Sequence, residues 1–128
     1  MKKEMMRKNR DDVVAFFEKS GMIRYETMFT GDYKTSNKEK PKLARAFRMF
    51  QDDPVFAMEC ISVMLESKNV VVRTDAAAYC LALKINIPLG EKVLEEISSD
   101  PANGIFGFNA KMTLKVWREN GELQMYRK

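Results

Sequence analysis

Residues 70–83, Val-Val-Val-Arg-Thr-Asp-Ala-Ala-Ala-Tyr-Cys-Leu-Ala-Leu, form an apolar run broken only by Arg73, Thr74 and Asp75. Three consecutive alanines followed by Leu81 and Leu83 favour a helix over a strand. A helix that is apolar on most sides has to be covered on most sides. The stretch therefore demands further helices before it, after it and beside it. No segment alternates convincingly with the period of two that marks a half-buried strand, so the whole chain reads as all-α.

The flanking sequence supplies those helices. Asp11 and Asp12 precede Val13, Val14, Phe16 and Phe17, and acids are favoured at a helix start by the free amides and the dipole. Apolar positions resume at Met22, Ile23, Tyr25, Met28 and Phe29, which predicts one long helix over 11–29, bent at Gly21 and ended by Gly31-Asp32. Residues 33–40 are polar and lysine-rich and read as a linking turn, with Asn37 as the cap of a helix over 38–50. Leu43, Ala44, Phe47 and Phe50 give that helix its apolar face, and Pro41 fits only in its first turn. Asp52-Asp53-Pro54 signals a start for a helix over 54–67, with Val55, Met58, Ile61, Met64 and Leu65 facing in. Ser67-Lys68-Asn69 is a tight break before the central helix, over 70–84. Pro88 opens a helix over 88–98 whose Glu91, Glu95 and Glu96 are expected in solvent. After the turn at Ser99–Gly104, a last helix over 105–119 carries Ile105, Phe106, Phe108, Ala110, Leu114 and Trp117, and Gly121 stops it. The expected organisation is a basic arm over 1–10, one helical domain over 11–121 and a short tail over 122–128.

Chemistry is constrained by what is missing. The 128 residues contain no histidine, which removes the commonest general base and most zinc sites. Glu95-Glu96 and Asp52-Asp53 are adjacent pairs, so on helices they point apart and cannot share a substrate. No Cys-x-x-Cys, calcium loop or strand-borne phosphate loop is present. No enzymatic activity, cofactor or metal is therefore expected. Cys60 and Cys80 lie in apolar helical patterns and read as buried thiols of a reducing cytoplasm, the alternatives being a disulfide or a reactive thiol. No apolar run approaches membrane-spanning length, so the expected location is cytoplasmic.

A repeat runs through the chain. Shifted by 33 positions, Ile61 falls on Leu94, Met64 on Ile97, Val72 on Ile105, Ala77 on Ala110, Leu81 on Leu114 and Leu83 on Val116. A fainter copy places Ala44 on Ala77 and Phe50 on Leu83. Two helices per period, with a small residue where helices cross, suit a stacked solenoid of helical pairs. Val72-Arg73 followed by Ala76-Ala77 and Leu81 resembles the second helix of HEAT repeats. Three segments resemble a small bacterial HEAT-like domain family of unknown function. They are Gly31-Asp32-Tyr33-Lys34 through Lys38, Val72 through Tyr79, and Gly104-Ile105-Phe106-Gly107-Phe108-Asn109-Ala110 through Trp117. That resemblance implies a right-handed α-α superhelix of about three helical pairs within the ARM/HEAT-like superfamily. It brings no catalytic residues. Relatives of such domains are encoded beside toxins, which implies an immunity role for some. Phe106 stands where the preceding copy has Arg73, a departure from the Asp/Arg ladder of many HEAT repeats.

Two binding expectations follow. The first is protein binding, in its most concrete form neutralisation of a bacterial toxin, through a shared surface carrying Lys42, Arg45, Arg73, Asp75, Asn109 and Lys111. Arg73 and Asp75 read equally as a tie within the domain. The second is nucleic-acid binding through the basic cluster Lys38, Lys40, Lys42, Arg45 and Arg48. Residues 1–50 hold 13 Lys/Arg against 7 Asp/Glu, whereas the rest of the chain is slightly acidic. The plainer reading of that imbalance is a solvated surface. Gly104 and Gly107 read either as an anion cradle or as a turn and a close helix approach. Trp117 is expected to close the core rather than to stand exposed, and the ten methionines to fill it, though such side chains also suit adaptable binding faces.

Overall fold

The computed structural model describes residues 8–126, so most of the basic arm and the last two residues of the tail lie outside the described residues. The helices are α1 (Arg10–Thr30), α2 (Tyr33–Asn37), α3 (Glu39–Asp52), α4 (Pro54–Met64), α5 (Val70–Ala82), α6 (Ile87–Ser99) and α7 (Ile105–Asn120). A 3-10 turn, Pro101–Asn103, precedes α7, and no strand occurs among the described residues.

Local chemistry sets most boundaries. Asn9 accepts from the Asp12 amide at 3.2 Å to start α1, and left-handed Gly31 closes it by donating to the Thr27 carbonyl. Asp53 accepts from the Phe56 amide at 3.1 Å, with Pro54 just inside α4. Asn69 does the same for α5, at 2.7 Å from the Val71 amide. The linker expected over 33–40 is partly helical, because Asp32 caps the Thr35 amide and opens α2. Asn37 is consequently the last residue of α2 and caps nothing. Backbone at Lys38 stays helical into α3, which has no side-chain cap, and Pro41 falls in its first turn as expected. The rotation of α4 set at Asp53 turns Phe56, Ala57 and Cys60 inward and leaves Val55 74 % exposed, contrary to its expected inward position.

Two apolar clusters share one wall. The first joins Val13 and Phe17 of α1, Leu43, Phe47 and Phe50 of α3, Phe56, Ile61 and Met64 of α4, and Val72, Ala76, Tyr79 and Cys80 of α5. The second joins Val70, Ala77 and Leu81 of α5 to Leu94 and Ile97 of α6 and to Phe106, Ala110, Leu114 and Trp117 of α7. Every residue from Asp75 to Leu81 is buried, so α5 is the enclosed centre its sequence demands. Helices mostly touch their chain neighbours; in addition α1 lies across α4 and α5 and touches α3, and α7 reaches α5. The residues read as a short tail fold back: Leu123 packs on the second cluster, Met125 and Tyr126 on the first. The Tyr126 hydroxyl meets that of Tyr79 at 2.5 Å.

The 33-residue shift pairs equally buried positions at Ile61/Leu94, Met64/Ile97, Ala77/Ala110 and Leu81/Leu114. It fails at Leu83/Val116, where neither residue is buried and Val116 is 40 % exposed, and at Val72/Ile105. Val72 is covered by α1 at Gly21, whereas Ile105 is 45 % exposed. Gly21 does not end or divide α1. A Cβ there would stand 2.6 Å from Val72 Cγ2, so the glycine serves the close approach of α1 to α5.

Gly90 makes a tighter approach. A Cβ would lie 2.8 Å from the Ala77 carbonyl oxygen and 2.8 Å from Cys80 Cβ. A backbone oxygen in a buried helix cannot step aside, so α6 would have to back away from α5. Gly90→Ala is expected to destabilise the fold toward the upper end of the ~1–3 kcal/mol typical of overpacking, exceeding its ~1 kcal/mol helix-propensity gain. Urea denaturation measures this, and a midpoint at or above the parent's contradicts it.

Candidate functional site

Lys38, Lys42, Arg45 and Arg48 are all exposed, and their spacing places them on one face of the α3 region, opposite buried Leu43 and Phe50. Lys42 Nζ lies 3.3 Å from Oε2 of the buried Glu39. The aromatic residues of α3, Phe47 and Phe50, are buried, so the basic strip carries no stacking platform of its own.

Asp75 turns inward. Arg24 of α1 donates to its carboxylate through Nη1 at 3.2 Å and Nη2 at 2.8 Å, and Arg24 Nε donates to Ser20 Oγ at 3.0 Å. The domain tie is therefore Arg24–Asp75, not Arg73–Asp75. Burial pushes the Asp75 carboxyl above its ordinary value, and the guanidinium opposes that rise. Burial also works against the Arg24 charge, but Asp75, Tyr79 and Tyr126 outweigh it and hold the guanidinium above its ordinary value. Arg73 is half-buried and donates from Nη1 to the Ser67 carbonyl at 2.9 Å. Asn109 is exposed beside Arg24, Met28 and Phe106, while Lys111 lines a separate groove with Glu95 and Arg118. The eight expected binding residues thus divide among the α3 strip, the surroundings of Phe106 and the far side of α7.

Several exposed apolar side chains gather where α1 meets the start of α7. Met22, Met28 and Phe29 are 58, 44 and 67 % exposed. Tyr25 stacks on Phe106 with ring centroids 4.8 Å apart, and Phe29 meets the Phe106 edge at 5.9 Å. Phe106, at the repeat position of Arg73, therefore joins α7 to α1 by ring contact. Two hollows flank it. One, of about 440 Å³, is bordered by Met22, Tyr25, Lys68 and Arg73. The other, of about 250 Å³, has Arg24 and Asp75 at its base and Met28 and Asn109 on its walls. Sequence periodicity marks Met22, Tyr25, Met28 and Phe29 as apolar but does not tell that they stay outside. Arg24 carries no distinguishing signal among 22 basic residues beyond its place four residues after Ser20.

Known protein families, curated proteins and solved structures give no match to this chain.

The remaining expected features fall into structural roles. Gly104 has φ 53°, and a Cβ on Gly107 would stand 3.1 Å from the Ile97 carbonyl oxygen, which accounts for both glycines as a turn and a close approach. Trp117 is buried and donates to Glu91 Oε2 at 2.8 Å, so Glu91 is partly covered rather than free in solvent. Cys60 and Cys80 are free, buried thiols whose pKa burial pushes up to about 11, which leaves them protonated and unreactive at neutral pH. Among the described residues, no group of three His, Cys, Asp or Glu side chains is placed to hold a metal ion. No helix among them is long and apolar enough to cross a membrane.

Proposed function

We propose that this chain is a non-catalytic, HEAT-like solenoid of about three helical pairs that binds another protein, in its most concrete form an immunity protein that neutralises a bacterial toxin. The observation that carries the binding reading is the exposed α1–α7 surface of Met22, Tyr25, Met28 and Phe29 around Phe106. A contiguous, aromatic and methionine-rich surface of this kind is typical of a docking site, and its methionines adapt to a partner's shape. The solenoid reading is supported by the largely sequential helix contacts and by matched burial at four of the six pairs of the 33-residue shift. Co-expression with the product of an adjacent reading frame, followed by size exclusion at micromolar concentration, tests the toxin form. A stable complex is expected, and Met22→Asp with Phe29→Asp should dissociate it while leaving the melting temperature close to the parent's. Two proteins that elute separately, or a complex indifferent to both substitutions, would contradict the proposal.

Nucleic-acid binding is the second reading, favoured by the four cations on one face of the α3 region. Four phosphate contacts predict an affinity for a fluorescent duplex that falls about a hundredfold over a fourfold rise in salt. Absence of binding at low salt removes this reading. It ranks below protein binding because stacking aromatics are few there: the rings of α3 are buried, and Tyr33 of α2 is the one exposed ring close to the strip in sequence.

A further inference from the structure

The chemistry of the partner can be read from the larger hollow beside Phe106. One wall is apolar, built from Met22, Tyr25 and Phe106. Lys68 and Arg73 also line the hollow, and Glu18 is the one acid among the lining residues. Neither Lys68 nor Arg73 has a carboxylate within salt-bridge distance among the described residues. Arg73 spends one N–H on the Ser67 carbonyl, which fixes the guanidinium without neutralising it. Other surface cations, such as Arg45 and Arg48 on α3, also lie beyond salt-bridge distance of a carboxylate among the described residues, but Lys68 and Arg73 line a hollow that holds exposed apolar side chains. Lys68 and Arg73 thus border the same recess as Met22, Tyr25 and Phe106, and its 440 Å³ suits one large side chain with an acidic neighbour.

We infer that this hollow receives an acidic segment of a partner protein, in which an aromatic or long aliphatic side chain enters between Met22, Tyr25 and Phe106 while an adjacent Asp or Glu meets Lys68 and Arg73. The inference rests on the protein-binding reading and adds the sign of the partner's charge. Electrostatic complementarity of this kind sets which partner docks and how fast it does so.

Selection of a random 12-residue peptide library on the immobilised full chain tests it. Enriched peptides are expected to place Asp or Glu within a few residues of Trp, Phe, Leu or Met. Measured by fluorescence anisotropy, they should bind Lys68→Glu about tenfold more weakly and lose most of their salt dependence. Lys68 is exposed, so that variant folds; Arg73→Gln provides the second charge deletion without a new acid in a half-buried place. Enriched peptides that are neutral or basic, yet fail to bind Met22→Asp, would overturn the acidic partner and leave protein binding intact. Acidic peptides that bind the parent and both charge variants equally would also overturn it. A library with no peptide that depends on Met22 would overturn both readings.

Discussion

Ala77→Arg is expected to abolish cooperative folding or to lower the midpoint of thermal unfolding by well over ten degrees. Ala77 is fully buried in the second cluster, on the side of α5 that faces α6. The spacing there is already at contact, as the Ala77 carbonyl and Gly90 demonstrate. An arginine would add a long side chain where the helices touch and a charge with no carboxylate to meet it. Overpacking typically costs about 1–3 kcal/mol and an uncompensated buried charge several more. That sum is comparable with the whole stability of a small domain, about 5–15 kcal/mol. Circular dichroism during heating and urea titration measures the effect. A variant that melts like the parent would show that α5 is not enclosed.

The second large effect concerns the ion pair. Asp75→Ala is expected to cost about 3–5 kcal/mol, because it strands the Arg24 guanidinium in a site from which water is largely excluded. The side chains of Arg24 and Asp75 are only 16 and 11 % exposed, so solvent screens the pair little. Ser20 Oγ remains a neutral acceptor for one nitrogen and cannot replace the charge. Removing both charges with packing kept is a different experiment. Arg24→Met combined with Asp75→Leu should fall within about 1 kcal/mol of the parent or above it, as apolar replacement of buried pairs often does. The direction of the Asp75 shift agrees. A carboxyl raised above 3.8 keeps its proton longer in the folded chain than in the unfolded one. In the window above that value the folded state holds more protons, so Asp75 subtracts stability as pH rises. A double-mutant cycle by urea denaturation at neutral pH reads both outcomes. An Asp75→Ala variant as stable as the parent would show that Arg24 finds other compensation.

Much of the candidate surface is visible in the sequence only as composition. Met22, Tyr25, Met28 and Phe29 have the spacing of a helix face, and periodicity alone reads such a face as core. In the structure α1 spends its first half on that task, with Val13 and Phe17 buried, while the second half keeps these four side chains on the surface. Of the expected binding residues, those on α3 share a face because their spacing alone puts them there. Arg73, Asp75 and Asn109 come together around Phe106 through the packing of α1 on α5 and α7, whereas Lys111 lies apart with Glu95 and Arg118, and no local pattern contains that division.

By itself the sequence determined six of the seven helices and most of their ends, α2 and the start of α3 excepted, because those depend on groups a few residues apart. Asp53 and Asn69 cap, Pro54 and Pro88 start, and Gly31 and Gly121 terminate through left-handed backbone. It also determined that α5 is enclosed, since no polar face exists on which to leave it open. Only the tertiary structure decided which helix covers which. Gly21 lies against Val72, Arg24 reaches Asp75 from 51 residues away, and Phe106 stacks on Tyr25. The physical reason is that such pairs are selected by shape and by burial summed over the whole packing, to which each local segment contributes only a surface.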